Sequence, residues 1–314
     1  STGDAGRRNG RLLSRPRKRE TDFMIALVTT HEARGHDKDL GILSRALDAC
    51  GAKWEIVDWD DQTIDWSQFD IAVLRSTWDY YERLGEFLVW ARGVGARTRL
   101  FNPLDIVQWN VDKRYLIDLA QASIDVMLTT FVSRARDLDA LDLSRDVIIK
   151  PAVSAGSNNT ARYVGDAAAA RAHIERIMRT SGVALVQPYQ STIDTLGETG
   201  LVYLAGSFSH AFGKAAIFGV NDPRHNGLYM EENITARVAT AAERALGDRV
   251  LQVLQDRFGE HPLYARVDMV TNDRGVPEIM EVELVEQSLY LHLDDAAPAR
   301  AASALVGAAE RARH

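Results

Sequence analysis

The sequence predicts an α/β protein: a small parallel sheet near the N-terminus, followed by two lobes that mix strands and helices. Three observations carry this. Short apolar runs alternate with segments of helical periodicity from Met24 to Phe101, the pattern of a parallel sheet covered by helices on both faces. Beyond about residue 105 the order changes to strands joined by tight turns, with longer helices between them. With 314 residues, 46% of them hydrophobic, the chain is long enough for two or three lobes.

In order, Ile25–Thr29 reads as the first strand, and the following helix carries Leu40, Leu43 and Leu47 on one face before Gly51 ends it as a C-cap. Trp54–Val57 and Ile71–Leu74 are further strands. Leu84, Phe87, Leu88 and Ala91 mark a helix, and Leu100-Phe101 a short strand closed by Asn102-Pro103. Ligands of such sheets meet the loops at the carboxyl ends of strands, here His31–Asp37 and Arg75–Tyr80. The middle third predicts a helix around Asp112–Ala120, a strand Met127–Phe131, a short helix, a strand Val147–Ile149 and a loop Pro151–Thr160. Helix Asp166–Arg179 then leads into strand Val183–Val186, with Gln187-Pro188-Tyr189 as a connector. In the last third, Leu201–Ala205 and Phe208–Phe212 flank Gly206-Ser207, a glycine-first pair that predicts a II′ hairpin turn. A helix over Thr235–Arg257, a second hairpin and an alanine-rich packing helix over Pro298–Arg311 complete the chain. The expected division is a leader over 1–23, an α/β domain over 24–105, a central lobe over 106–186 and a C-terminal lobe over 187–314.

The leader crowds Arg7, Arg8, Arg11, Arg15, Arg17, Lys18 and Arg19 into a stretch with little apolar content and reads as disordered. Arg7-Arg8 is no export signal, because no apolar core or cleavage site follows. Met24 reads as the start of the folded chain. The net charge of −7 argues against a nucleic-acid partner and for a small ligand; a homo-oligomer is compatible with this composition. No stretch approaches the roughly 18 apolar residues of a membrane span, so the expectation is a cytoplasmic protein with no membrane partner. The single cysteine, Cys50, cannot form an intramolecular disulfide and reads as a buried or idle thiol. His31 and His36 are five apart with a glycine between them, which excludes the zinc-protease spacing.

The strongest chemical signal is Tyr264-Ala-Arg266-Val-Asp268, a turn, then Glu281-Val-Glu283. Side chains alternate along a strand, so Arg266 and Asp268 share a face, as do Glu281 and Glu283. A two-residue turn at Arg274-Gly275 sets Asp268 opposite Glu281 and Arg266 opposite Glu283, with all four on one side. Carboxylates opposed at about 5 Å repel by roughly 3 kcal/mol at an effective dielectric near 20, which calls for a cation. Mg²⁺ suits such oxygen donors; a solvated strand face with an Arg266–Glu283 ion pair is the competing reading. The second signal is a strand ending on Lys150, followed by the small residues Ser154, Gly156 and Ser157. Small residues let backbone N–H groups approach an anion while the lysine offers charge to phosphate, although a strand-end lysine before a polar hairpin loop looks the same. Walker and dinucleotide glycine motifs are absent. Arg34, His36, Arg75 and Asp79, in the first-lobe loops, are candidate substrate contacts alongside ordinary loop polarity and helix packing.

Taken in order, these pieces resemble the ATP-grasp superfamily, which includes D-alanine–D-alanine ligase and glutathione synthetase, over essentially Met24 to the C-terminus. The resemblance implies an ATP-grasp fold in which the two later lobes enclose ATP. It implies that Lys113 and Lys150 touch the phosphates, that Ser154–Asn158 closes over them, and that Val186–Tyr189, including Gln187 and Tyr189, holds adenine through its backbone. Gln187 stands where the family often has an acid. Glu198 is the favoured ribose carboxylate, with Asp194 the alternative by distance from the hinge; Lys214 reaches the phosphates. Arg266 is implied to stabilise the transferring phosphoryl group. Asp268, Glu281 and Glu283 are implied to hold Mg²⁺, or Mn²⁺ in its place, with Glu283 replacing the asparagine common in the family. Ala26–Arg34, Leu74–Tyr80 and Phe208–Lys214 look most like the cyclo-ligases of D-cycloserine biosynthesis. That implies activation of a small amino-acid-like substrate, O-ureido-D-serine, as an acyl phosphate. An intermolecular carboxylate–amine ligase and a non-catalytic nucleotide-binding regulator are the alternatives.

Overall fold

A computed structural model describes residues 22–216 and 233–313. The basic stretch over 1–21 lies outside the described residues; Phe23, next to it in sequence, is buried in the core of the first lobe. That lobe is a parallel sheet of four strands in the order β2-β1-β3-β4, with β1 Met24–Thr29, β2 Lys53–Asp58, β3 Ile71–Ser76 and β4 Arg99–Phe101. Helix α1, Lys38–Cys50, joins β1 to β2 and buries Leu40, Leu43 and Leu47. Asp37 caps it by accepting from Asp39 N and Leu40 N, and Gly51 ends it at φ 75°. Helix α2, Leu84–Gly95, joins β3 to β4 and buries Phe87, Ala91 and Val94.

The helix expected around Asp112–Ala120 is α4, Tyr115–Gln121, and it is preceded by a helix the sequence did not signal, α3, Leu104–Asn110. The later start of α4 goes with a tertiary bond: Lys113 N donates to Ala152 O at 2.9 Å, so Lys113 lies outside the helix. The central sheet is antiparallel, ordered β5-β8-β6-β7, with β5 Thr130–Val132, β6 Val147–Pro151, β7 Ala161–Tyr163 and β8 Ala184–Pro188. The strand expected over Met127–Phe131 shrinks to β5, because Met127 N pairs instead with Ile279 O of the third sheet. Helices α5, Ala135–Asp139, and α6, Ala167–Ser181, belong to this lobe, and α6 covers the sheet with Ala170, Ile174 and Ile177.

The third sheet runs β11-β10-β9-β12-β13: β9 Glu198–Leu204, β10 Ser207–Lys214, β11 Ile234–Arg237, β12 Tyr264–Thr271 and β13 Pro277–Glu283. A single turn of helix, α7, Ile193–Leu196, precedes it. The β9–β10 turn is Ala205-Gly206, both at positive φ (48° and 79°), which is the I′ signature and not the expected II′. Ile234–Arg237 is a strand, so the helix expected from Thr235 begins later. It is α8, Ala241–Phe258, started by a capping box between Thr240 and Glu243. The last helix, α9, Ala297–Ala312, returns to pack on α1.

The second hairpin has the expected register at its acidic end: Arg266 faces Glu283 and Asp268 faces Glu281. Its turn differs. Asn272 N donates to Val276 O, leaving a three-residue loop that closes on Gly275 at φ 76°, a left-handed position glycine adopts without steric cost. The resulting one-residue offset is absorbed between Asp268 and Met269, where Met280 bulges out of the ladder. Turn and bulge compensate, so the charged pairs stay aligned. The outer edge of β13 is tied down by buried polar groups: Val282 N donates to Tyr115 Oη, Asn110 bonds Val282 O and Leu284 N, and Asn102 bonds Leu284 O. These bonds satisfy an edge strand that carries Glu281 and Glu283.

Candidate active site

The central and third sheets face one another across a cleft that opens to solvent. Lys113, Lys150, Ser154, Gly156, Ser157, Gln187, Tyr189, Glu198, Lys214, Arg266, Asp268, Glu281 and Glu283 all line it. Residues separated by up to 170 positions thus converge because three lobes each present one edge to the same space.

The inner end of the cleft is a charge network. Lys113 Nζ lies 3.0 Å from Glu281 and donates to Ser154 O at 2.8 Å; Lys150 Nζ lies 3.4 Å from the other Glu281 oxygen. Burial opposes ionisation of Glu281, but Lys113, Lys150 and Arg266 outweigh it and hold the carboxyl below its ordinary range. Arg266 grips Asp268 through Nε (2.9 and 3.0 Å) and Nη2 (2.7 Å), bonds Glu283, and donates to Ser288 O at 3.2 Å. Burial pushes Glu283 up, Arg266 opposes, and Asp268, Glu281 and Glu286 push it further. Glu286 is pushed up to about 7, first by burial, against the pull of Lys113.

Among the described residues no three His, Cys, Asp or Glu side chains converge on one point as a metal cage. The reason is visible: Asp268 and Glu283 are drawn to Arg266, and Glu281 to the two lysines. The donor chemistry nevertheless fits a hard divalent cation. Burial first, and then their acidic neighbours, push the carboxyls of Glu283 and Glu286 up, and oxygen donors of this kind suit Mg²⁺ once phosphate oxygens complete the octahedron.

The loop after β6 bends at Gly156 (φ 57°), Ser157 (58°) and Asn159 (54°), and Asn158 donates to Tyr81 Oη of the first lobe at 2.9 Å. At the other end, the Gln187 side-chain amide donates to Thr129 Oγ1 at 2.9 Å. The Tyr189 amide donates to Asp146 O (2.9 Å), contrary to the expected role for a backbone donor there. What Tyr189 offers is its ring, over which the Arg162 guanidinium stacks at 3.4 Å. Glu198 is buried in the wall with Lys214 at 3.9 Å. Asp194 is half exposed, bonded to Tyr189 Oη, and belongs to a neighbouring groove.

The first-lobe candidates divide. His36 lines a smaller cavity that shares Ser288 and Tyr290 with the cleft. Arg34 is paired with Asp58 at 2.8 Å on the surface. Arg75 is buried against Asp39 (3.9 Å) and the Tyr264 ring, and Asp79 accepts from Trp59 Nε1 and Arg83; neither lines the cleft. Sequence reading missed Glu286, Ser288 and Tyr290. Alternation from Glu281 and Glu283 puts Glu286 out of phase, and only the departure of the chain from the ladder after Glu283 brings it back to the cleft.

A parallel-sheet lobe beside two antiparallel sheets that face each other over lysines and carboxylates is the architecture of an ATP-grasp ligase. Solved structures agree on the fold: D-alanyl-alanine synthetase A from Vibrio cholerae O1 biovar eltor matches with a TM-score of 0.67 at 13% identity, over 92% of this chain and 98% of that one. Residues 25–102 match the family described as D-cycloserine synthetase DcsG, N-terminal domain. The cycloserine biosynthesis protein DcsG of Streptomyces lavendulae is 34% identical over 293 residues, covering 90% of this chain and 97% of that protein. A crystal structure of D-cycloserine synthetase DcsG superposes with a TM-score of 0.84, also at 34% identity, over 92% and 99% of the two chains. The chain therefore belongs to the DcsG family of ATP-grasp ligases, enzymes that use ATP to form C–N bonds. No described helix is long and apolar enough to cross a membrane.

Proposed function

We propose that this chain uses ATP to activate the carboxylate of O-ureido-D-serine and closes it to D-cycloserine. The observation that carries this reading is the convergence of Lys113, Lys150 and Arg266 with Asp268, Glu281, Glu283 and Glu286 in one cleft, in a chain related over nine-tenths of its length to a cycloserine biosynthesis protein. In this reading the lobes at 106–186 and 187–314 enclose the nucleotide. Lys113 and Lys150 leave Glu281 to take the phosphates under the loop from Ser154 to Asn158. The hinge at Gln187 and the Tyr189 ring border the base, and Glu198 takes the ribose, since Asp194 lies outside the cleft. Asp268, Glu281 and Glu283 would hold Mg²⁺, which when bound neutralises phosphate charge.

A carboxylate oxygen of the substrate attacks the γ-phosphorus and ADP leaves, giving an acyl phosphate. Arg266 is placed to stabilise charge that builds on the transferring group. The substrate's nitrogen attached to oxygen then attacks the acyl carbon, phosphate leaves and a five-membered ring forms; water attacks the carbamoyl carbon, the bond from that carbon to the ring nitrogen breaks, the nitrogen takes the proton, and the carbamate released breaks down to CO₂ and NH₃. The small cavity shared through Ser288 and Tyr290 adjoins this end of the cleft and suits the rest of a small amino acid. Dependence on ATP supports a cytoplasmic location for the reaction.

The test is to incubate the protein with Mg-ATP and a panel of amino acids and follow ADP release and products by mass spectrometry. ADP coupled to a ring-closed product from O-ureido-D-serine alone is expected. A linear product formed only with a second amino acid would make the chain an intermolecular ligase, and tight ATP binding without turnover would make it a regulator.

A further inference from the structure

The cleft wall at Ser288–Tyr290 belongs to no strand or helix, yet it is fixed from two sides. Asp39, in the first turn of α1 and buried, receives three consecutive backbone donors: Leu289 N at 2.6 Å, Tyr290 N at 3.0 Å and Leu291 N at 2.8 Å. Successive N–H groups around a residue of positive φ, here Tyr290 at 49°, form a concavity that receives an anion, and the anion is a carboxylate from the first lobe. From the opposite side His210 Nε2 donates to Leu289 O at 2.8 Å. The clamped segment bears on the chemistry through Arg266. Ser288 O accepts from its Nη1 at 3.2 Å, and Tyr290 packs edge-on against Phe212 at 4.6 Å with the guanidinium 5.9 Å from the tyrosine ring. The nucleotide-side groups Lys113, Lys150 and Gln187 have their bonds elsewhere.

We infer that Asp39 is a positioning residue of the ligase: by clamping the amides of Leu289–Leu291 it sets the place of Ser288, Tyr290 and, through them, the Arg266 guanidinium. The inference rests on the proposed ligase reading for its kinetic readout. Asn in place of Asp keeps the volume but offers one acceptor oxygen and an NH₂ group that confronts an N–H donor. Displacing a reacting or stabilising group by about 1 Å costs on the order of 100-fold in rate, whereas ATP binding is decided by groups that do not touch the clamp.

The experiment compares D39N with the unsubstituted protein by amide hydrogen exchange of 288–291, by binding of ATP, and by ADP release at saturating ATP. The expected result is faster exchange at these amides, ATP affinity within about twofold, and kcat lowered about 10- to 100-fold. Unchanged exchange, unchanged kcat, or an ATP affinity that falls in step with kcat would overturn the inference. If D39N does not fold, H210A, which removes the other tether, is expected to show the same split. Failure of O-ureido-D-serine to release ADP from the unsubstituted protein would count against the substrate alone; the clamp is then read from exchange and from whichever amino acid of the panel drives ADP release.

Discussion

Replacing Glu281 by glutamine tests whether the two buried lysines are ATP-phosphate ligands held in reserve by a carboxylate. At 3.0 and 3.4 Å the two contacts have a gross attraction of about 5 kcal/mol each at an effective dielectric near 20. Desolvation cancels much of this, and removing one partner of a buried ion pair costs about 3 to 5 kcal/mol net. The Glu281 side chain keeps 20% exposure, which favours the lower figure. At roughly 2 °C per kcal/mol for a chain of this size, Glu281→Gln should lower the unfolding midpoint by about 6 °C. The assay is a thermal melt without nucleotide and with saturating ATP in the absence of divalent metal. Phosphate oxygens should replace the lost carboxylate, so ATP should close at least half of the gap between the two proteins. An equal gap with and without ATP would refute the reasoning, as would a variant no less stable than its parent.

Other outcomes follow from the same geometry. Arg266→Lys keeps the charge but not the fork that grips Asp268 and reaches Ser288 O, and kcat for ADP release should fall about 100- to 1,000-fold with ATP affinity nearly unchanged. His210 is held below its ordinary pKa, first by burial, with the Leu289 carbonyl opposing. The unfolded chain therefore takes the proton first, so stability should be level above about pH 6.5 and decline below it, and His210→Gln should remove that part of the slope in pH-dependent melts. A methyl group on Gly200 would stand 2.1 Å from the buried Phe212 ring, so Gly200→Ala should cost about 1–3 kcal/mol by overpacking, read as a lower melting midpoint.

Local pattern carried much of this fold. The alternation from Ile25 to Phe101, the Gly51 cap and the pairing of Asp268 with Glu281 were legible because each depends on neighbours in sequence or on strand period. The pairing survived an incorrect turn only because the bulge at Met280 offsets the longer loop. Features set by partners distant in sequence were not legible. The late start of α4 follows a bond from Lys113 N to Ala152 O, and the shortening of β5 follows one from Met127 N to Ile279 O. Within the site, the positions of Lys150, Arg266 and Glu281 followed from motif order. Arg75 and Asp79 sit at a strand's carboxyl end as expected but turn inward to Asp39 and to Trp59 and Arg83, a choice made by packing partners distant in sequence. Glu286, Ser288 and Tyr290 lie in irregular backbone where no period operates, tied by Trp78 at Glu286 O and by Asp39 at the amides of Leu289 and Tyr290.

The central claim is that ATP activates the substrate's own carboxylate. Its most direct test is to supply O-ureido-D-serine with ¹⁸O in both carboxylate oxygens and analyse the phosphate released during turnover. An acyl phosphate requires that phosphate carry one ¹⁸O atom from the substrate, in step with ring-closed product. Unlabelled phosphate beside labelled ring would contradict the account.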